Sequence, residues 1–320
     1  MNKKNTIQSG ELKDQLAEIT ETMQREKIEF TPEMKVYFDE TLARFTEGMT
    51  RGEMPVKKDL DEFVNKLKQW IKMSKEYRER YPSIEAMDSR SVELITEMKL
   101  EKSYDEMVDT LQNYGYTDKI PEKESIMGAI INLGPSMLEK IKNFNRPTIL
   151  ITPKGDLASK IQKLDSNKKY LNQGDTYFAN PSTDTLWGPT SLKHIVTIVD
   201  GSPEMPKLLT DNDNHYLKIE EKHQYLTDEY KNQGMKMISA QEYAMLAQKS
   251  LRSYELSKNS DEIIDQNQAI NLNAEHLTDL QKVPYVKWFS DDRRFHFDWD
   301  PPAAQIVHFR GRPSVQVIVT

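Results

Sequence analysis

The sequence predicts an α+β fold, with an N-terminal helical region followed by a mixed sheet covered by helices and ending in C-terminal β-hairpins. Three observations carry this. The first 100 residues are dense in charge, with 18 Lys+Arg and 20 Asp+Glu, and poor in Gly and Pro. Two β-branched runs, PTILIT at 147–152 and HIVTIVD at 194–200, stand mid-chain. Near the end, apolar and polar residues alternate with the period of two that belongs to strands.

The N-terminal helices follow from spacing. Leu12, Leu16, Ile19 and Met23 step by four, three and four, which draws a narrow apolar stripe on one helix face. Thr31-Pro32 supplies an N-cap and a first-turn proline. Met34, Phe38, Leu42, Phe45 and Met49 continue at helical spacing, and after Pro55 a third helix carries Leu60, Phe63, Val64, Leu67, Trp70, Ile71 and Ser74. Tyr81-Pro82-Ser83 ends it and starts a fourth, with Ile84, Met87, Leu94, Ile95 and Met98. Breaks about every 20 residues point to a helical array or small bundle rather than a long coiled coil, which needs three or four unbroken heptads.

Beyond residue 100 the elements alternate. Tyr104, Met107, Val108 and Leu111 share a helix face, and Gly115 stands at a C-cap position. A second apolar helix is interrupted by Gly134-Pro135. PTILIT is followed by a turn and the short helix GDLASKIQKL, and residues 165–192 read as loop. HIVTIVD has the continuous apolar character of a central strand buried on both faces. Residues 211–233 read as a loop and a surface helix. Ser239 and Glu242 form a capping box at the head of AQEYAMLAQKSL. The end reads as VPYVKWF, a turn at Ser290-Asp291-Asp292, RRFHFDW, a Pro301-Pro302 interruption, AQIVHF, a turn at RGRP, and SVQVIV. The expected division is a helical extension or bundle at 1–100 and an α+β domain at 103–320.

This order of elements resembles a bacterial protein family of unknown function, over about residues 103–320. The residues that carry the resemblance are the helix end Leu111-Gln112-Asn113-Tyr114-Gly115-Tyr116, the capped helix ISAQEYAML and the Val283-Pro284 strand with Trp288. Ser239 stands where the family's helix begins with Thr, and the segment 254–282 is a longer polar insert. The resemblance implies a bacterial origin and brings no activity and no functional residues.

Composition narrows the functions. The net charge of −7 argues against non-specific binding to nucleic acid, which needs clustered Lys and Arg. With no Cys, disulfides, thiolate catalysis and cysteine metal sites are excluded, and a reducing cytoplasm is expected. No secretory leader and no membrane span are expected, and no cofactor or metal is called for.

Two places carry candidate site residues. On a strand, Arg294, His296, Asp298 and Asp300 point one way and Phe295, Phe297 and Trp299 the other. With His308 on a neighbouring strand, that polar face has the donors for a divalent metal or for acid–base work. The favoured reading is plainer: a half-buried strand whose aromatic side packs on helices, with Arg294 and Asp298 in weak ion pairs. The second place is the long loop with Tyr177, Phe178 and Trp187, a candidate binding loop. The turn ITPKGDLASK lacks the glycines of a phosphate loop, and Asp156 at the helix start would repel an anion. His194, His215, His223 and His276 are scattered and read as solvated surface residues. The expectation is a non-catalytic binding or interaction protein of the bacterial or phage cytoplasm, meeting a protein partner or itself through the N-terminal helices. The alternatives are a metal-dependent hydrolase using His296, Asp298, Asp300 and His308, and a structural component of a larger assembly.

Overall fold

The computed structural model of the chain describes residues 32–51, 57–81, 89–166, 177–178, 193–204, 217–265, 270–272, 283–289, 294–301, 303–304 and 309–319, with helical residues 14, 17–18, 21–22 and 24–25 before them. The stripe Leu12, Leu16, Ile19 and Met23, the Thr31 cap, Pro55, Ile84 and Met87 lie outside the described residues, as do the turn at 290–292 and Pro302. The chain divides into two units, Met1–Glu97 with Ile130–Glu139, and Met98–Ala129 with Lys140–Thr320.

In the first unit, helices α1 (Pro32–Thr50) and α2 (Lys57–Arg80) meet through aromatic rings. Phe63 lies 5.7 Å from both Tyr37 and Phe38 and 6.0 Å from Phe45, while Trp70 meets Tyr37 edge-on at 5.9 Å. Such pairs add about 0.5–1.5 kcal/mol each to the burial of their area. The apolar face of α1 is therefore used within its own unit. Helix α3 (Ser89–Glu97) packs on α2, with Val92, Leu94 and Ile95 buried, and the Ser74 hydroxyl donates to Ser89 at 2.8 Å. Arg90 joins Glu93 and Glu139.

The second unit opens with α4 (Leu100–Asn113), closed where predicted by Gly115 at φ 67°. The Gly115 and Tyr116 N–H groups donate to Gln112 and Leu111 at 3.1 and 2.9 Å, the paired bonds of a Schellman end. The apolar helix predicted after it is split into α5 (Lys123–Ile131) and α6 (Gly134–Lys142), with Gly134 at φ 77°; the stretch Ile130–Glu139 across that break counts with the first unit. Strand β1 (Pro147–Thr152), helix α7 (Leu157–Ser166), β2 (Tyr177–Phe178) and β3 (Ile195–Asp200) follow. Next come α8 (Ile219–Asn232), β4 (Lys236–Met237), α9 (Ala240–Ser257), a 3-10 turn (Ser260–Glu262) and β5 (Ile270–Leu272). The chain ends with β6 (Val283–Phe289), β7 (Arg294–Asp300), β8 (Phe309–Arg310) and β9 (Pro313–Val317).

The class is α+β, but the strands form two sheets instead of one. The first is antiparallel, in the order β1-β3-β9-β4, with β3 central and buried after its first residue. The second is mixed, in the order β2-β7-β6-β5-β8, with β2 parallel to β7 and β5 parallel to β8. The pair β6–β7 is the expected hairpin. The RGRP segment is not a hairpin turn: β8 and β9 belong to different sheets, and Gly311-Arg312 carries the chain from one to the other. A Cβ on Gly311 would come 2.8 Å from Met237 Sδ, so glycine suits that crossing.

Helix α9 stands at the centre of this unit. It packs on β1, α4, α7 and β6, and every residue from Ala240 to Leu251 is buried. Its head is the expected capping box, with Ser239 Oγ accepting from Glu242 N at 3.2 Å and Glu242 Oε2 accepting from Ser239 N at 2.7 Å. A helix buried all round must satisfy its polar side chains internally. Gln248 donates to Lys160 O and Tyr116 Oη, and Ser250 bridges Glu262 O and Ile264 N. Among the described residues, no helix is long and apolar enough to cross a membrane.

Candidate functional site

Over residues 295–298 strand β7 alternates as predicted. Phe295 and Phe297 are fully buried, and both rings meet Tyr243 edge-on at 6.1 and 6.4 Å. His296 and Asp298 are half-exposed on the other face. His296 stands opposite Lys287 and Asp298 opposite the buried Tyr285. Arg294 and Asp300 are placed by their backbone register against Phe289 and Val283. The structure also brings the two predicted places together, since β2 pairs Tyr177 with His296 and Phe178 with Phe297. His308 and Trp187 lie outside the described residues, as do His215 and His276. Among the described residues, no group of three His, Asp or Glu is placed to hold a metal ion.

His223 departs from the solvated reading: it is buried on α8 beside buried Lys222. The apolar side of that helix is wider than its polar sequence suggests, because Ile219, Leu226 and Tyr230 also pack inward. The ITPKGDLASK turn is a capped connection, with Asp156 Oδ1 accepting from Ser159 N at 2.8 Å. That bond is the main reason the Asp156 carboxyl lies below the ordinary range. Lys160, one helical turn on, is buried with Nζ on Gly155 O at 2.9 Å and Asp156 O at 3.2 Å. Burial lowers its pKa to about 8.

Two constellations were not read from the sequence. The first is a fully buried ionic clasp at the crossing between the sheets. Arg312 donates through Nη1 to Asp200 O at 2.7 Å and through Nη2 to Asp265 Oδ1 at 2.5 Å, and the Tyr243 hydroxyl donates to the other carboxylate oxygen. Burial and the neighbouring Asp265 charge hold the Tyr243 hydroxyl far above its usual pKa. With every partner inside the protein, this cluster fastens β9, the end of β3, α9 and residue 265 to one another.

The second is a cleft of about 570 Å³ between α4 and α9, within the size range of ligand sites. Residues 102, 105, 106, 109 and 110 of α4 face it, the spacing of one helix side, and Arg252, Ser253, Leu256 and Ser257 face it from α9. Arg146 before β1 and Glu262 after α9 complete the wall. Arg252 grips Asp109 with two bonds, Nε–Oδ2 at 2.7 Å and Nη2–Oδ1 at 3.2 Å, and also meets Glu255. Glu106 accepts from the buried Lys249 at 2.8 Å and lies 3.5 Å from Lys102 Nζ. Arg146 meets Glu262 at 2.5 Å, and Lys123 meets Asp105 at 2.8 Å. Burial pushes the Glu106 carboxyl up, but the charges of Lys249, Lys102 and Arg146 outweigh it and leave the pKa below the ordinary value. Leu256 stands in this cleft 67% exposed.

Compared with known protein families, curated proteins and solved structures, the chain matches none.

Proposed function

We propose that the protein is a non-catalytic binding protein that takes a partner's peptide segment in the cleft between α4 and α9. One observation carries this: all seven charged side chains lining the cleft are held in ion pairs, around an exposed leucine. With Lys123, Lys249 and Glu255, the described groups come to five cations and five carboxylates. Acid–base or nucleophilic chemistry needs a group poised to change its protonation state. An ion-paired wall of alternating sign instead offers fixed donors and acceptors to a mixed-charge chain, and Leu256 offers an apolar anchor point. The apolar face of α1 is engaged by α2, so the cleft supports partner contact better than that face does. A reducing bacterial or phage cytoplasm, suited to a chain with no Cys, belongs to the same proposal.

A random peptide library displayed against the immobilised full chain tests this. Enriched sequences should bind the wild type and lose at least tenfold in affinity to Leu256→Asp, a change at an exposed position. No enrichment, or binding indifferent to Leu256→Asp, refutes the cleft as the docking site. Cleavage or modification of a bound peptide refutes the non-catalytic assignment.

A further inference from the structure

The two ends of the cleft differ in charge, which bears on the kind of peptide it takes. At one end three cations meet two carboxylates: Lys249 and Lys102 lie 2.8 and 3.5 Å from Glu106, and Arg146, paired with Glu262 at 2.5 Å, is close enough to lower the Glu106 pKa. Two of these cations reach water, since the side chains of Lys102 and Arg146 are 73% and 40% exposed. Among the described residues Arg146 uses only Nη1, on Glu262, which leaves two guanidinium nitrogens for another acceptor. At the other end the exposed charge is acidic. Asp109 and Glu255 share the guanidinium of Arg252, and Asp109 is 46% exposed. Lys102 and Asp109 are seven residues apart on α4, so the two ends are separated by about 10 Å. An extended peptide covers that distance in about three residues.

We infer that the cleft recognises the C-terminal end of a peptide, with the terminal carboxylate on Arg146 and Lys102, an apolar side chain against Leu256, and a basic side chain two residues before the end on Asp109. This rests on the cleft being a peptide site and names the chain end it selects. Arg146 meets a carboxylate with parallel N–H donors, the pairing for which a guanidinium is shaped. Lys102 adds a second charge from the same side. Asp109 already turns both oxygens to one guanidinium, and its exposed face accepts a further ammonium. The sign gradient fixes the direction of the peptide: reversed, its carboxylate would face Asp109 and Glu255.

Calorimetry on the full chain with acetyl-Lys-Ala-Leu, its C-terminal amide and acetyl-Glu-Ala-Leu provides the test. The free acid with lysine should bind at least tenfold more tightly than either of the others. Arg146→Gln should bind acid and amide alike, and Asp109→Asn should lose the preference for lysine over glutamate. The acid–amide comparison needs no variant, so misfolding cannot mimic its result. Equal binding of acid and amide overturns end recognition and leaves the cleft a peptide site. Failure of all three tripeptides, while library peptides bind in a Leu256-dependent way, also overturns end recognition alone. Failure of tripeptides and library together removes both.

Discussion

Replacing Asp265 with Asn should destabilise the second unit severely. The substitution keeps the shape of the side chain and its tolerance for the left-handed backbone at φ 58°, so it isolates the charge. Arg312, with 0% side-chain exposure, would then be a cation without its carboxylate. Removing one partner of a buried ion pair costs about 3–5 kcal/mol. For a domain of 150–250 residues this corresponds to roughly 6–20 °C in Tm, at about 2–4 °C per kcal/mol. Tyr243→Phe removes only a hydroxyl donor to the same carboxylate and should cost about 1.5–3 kcal/mol. Urea unfolding followed by tryptophan fluorescence is a suitable assay, because Trp288 packs on Phe295 at 4.7 Å in the adjoining core. Arg312→Met should be comparably damaging, and the double variant Asp265→Asn/Arg312→Met should cost clearly less than the two losses added. A loss below about 1 kcal/mol for Asp265→Asn, or strict additivity of the pair, would refute the clasp.

Three more outcomes are expected. Gly201→Ala would place a Cβ 2.3 Å from Thr148 Oγ1 and 2.7 Å from Thr148 Cβ. Overpacking of that kind costs about 1–3 kcal/mol, readable by urea unfolding. Ser239→Ala removes the acceptor for Glu242 N and should cost about 1 kcal/mol without changing the fold, as checked by circular dichroism and Tm. Two groups give opposite pH responses. The Glu106 carboxyl is lowered in the folded state, so its contribution is complete above the ordinary value of 4.5 and lost as pH falls through the folded pKa; Glu106→Gln should flatten the acid side of a Tm-against-pH curve. Lys160 is lowered from 10.5 to about 8, so the unfolded chain binds the extra proton between those values and stability should rise with pH across that window; Lys160→Met should abolish the rise.

Local rules made much of the fold legible. The Ser239 box, the Gly115 helix end, the Gly134 break and the β6–β7 pairing each depend on residues a few places apart, and each forms where the spacing put it. What stayed hidden depends on distant partners. RGRP looks like a turn because Arg, Gly and Pro favour turns, yet Arg312 is buried on a carboxylate 47 residues earlier. His223 sits in a polar stretch, and only the packing of α8 shows that its face is covered. The Lys102, Asp105, Glu106 and Asp109 side of α4 is the polar side expected of any amphipathic helix. It becomes the wall of a cleft because Arg252, 143 residues beyond Asp109, closes the opposite side. On β7 the inward aromatic face was readable from the period of two, whereas the meeting of Tyr177 with His296 needed the parallel pairing of β2.

Amide hydrogen exchange of the full chain, with and without a peptide enriched from the library, tests the docking cleft most directly. The prediction is slowed exchange in the last turn of α9 and the following residues 252–262, together with the cleft side of α4, and no change along β7 at 294–300. Protection confined to 294–300 and 177–178, with 252–262 unchanged, would contradict it and move the binding surface to the His296 face.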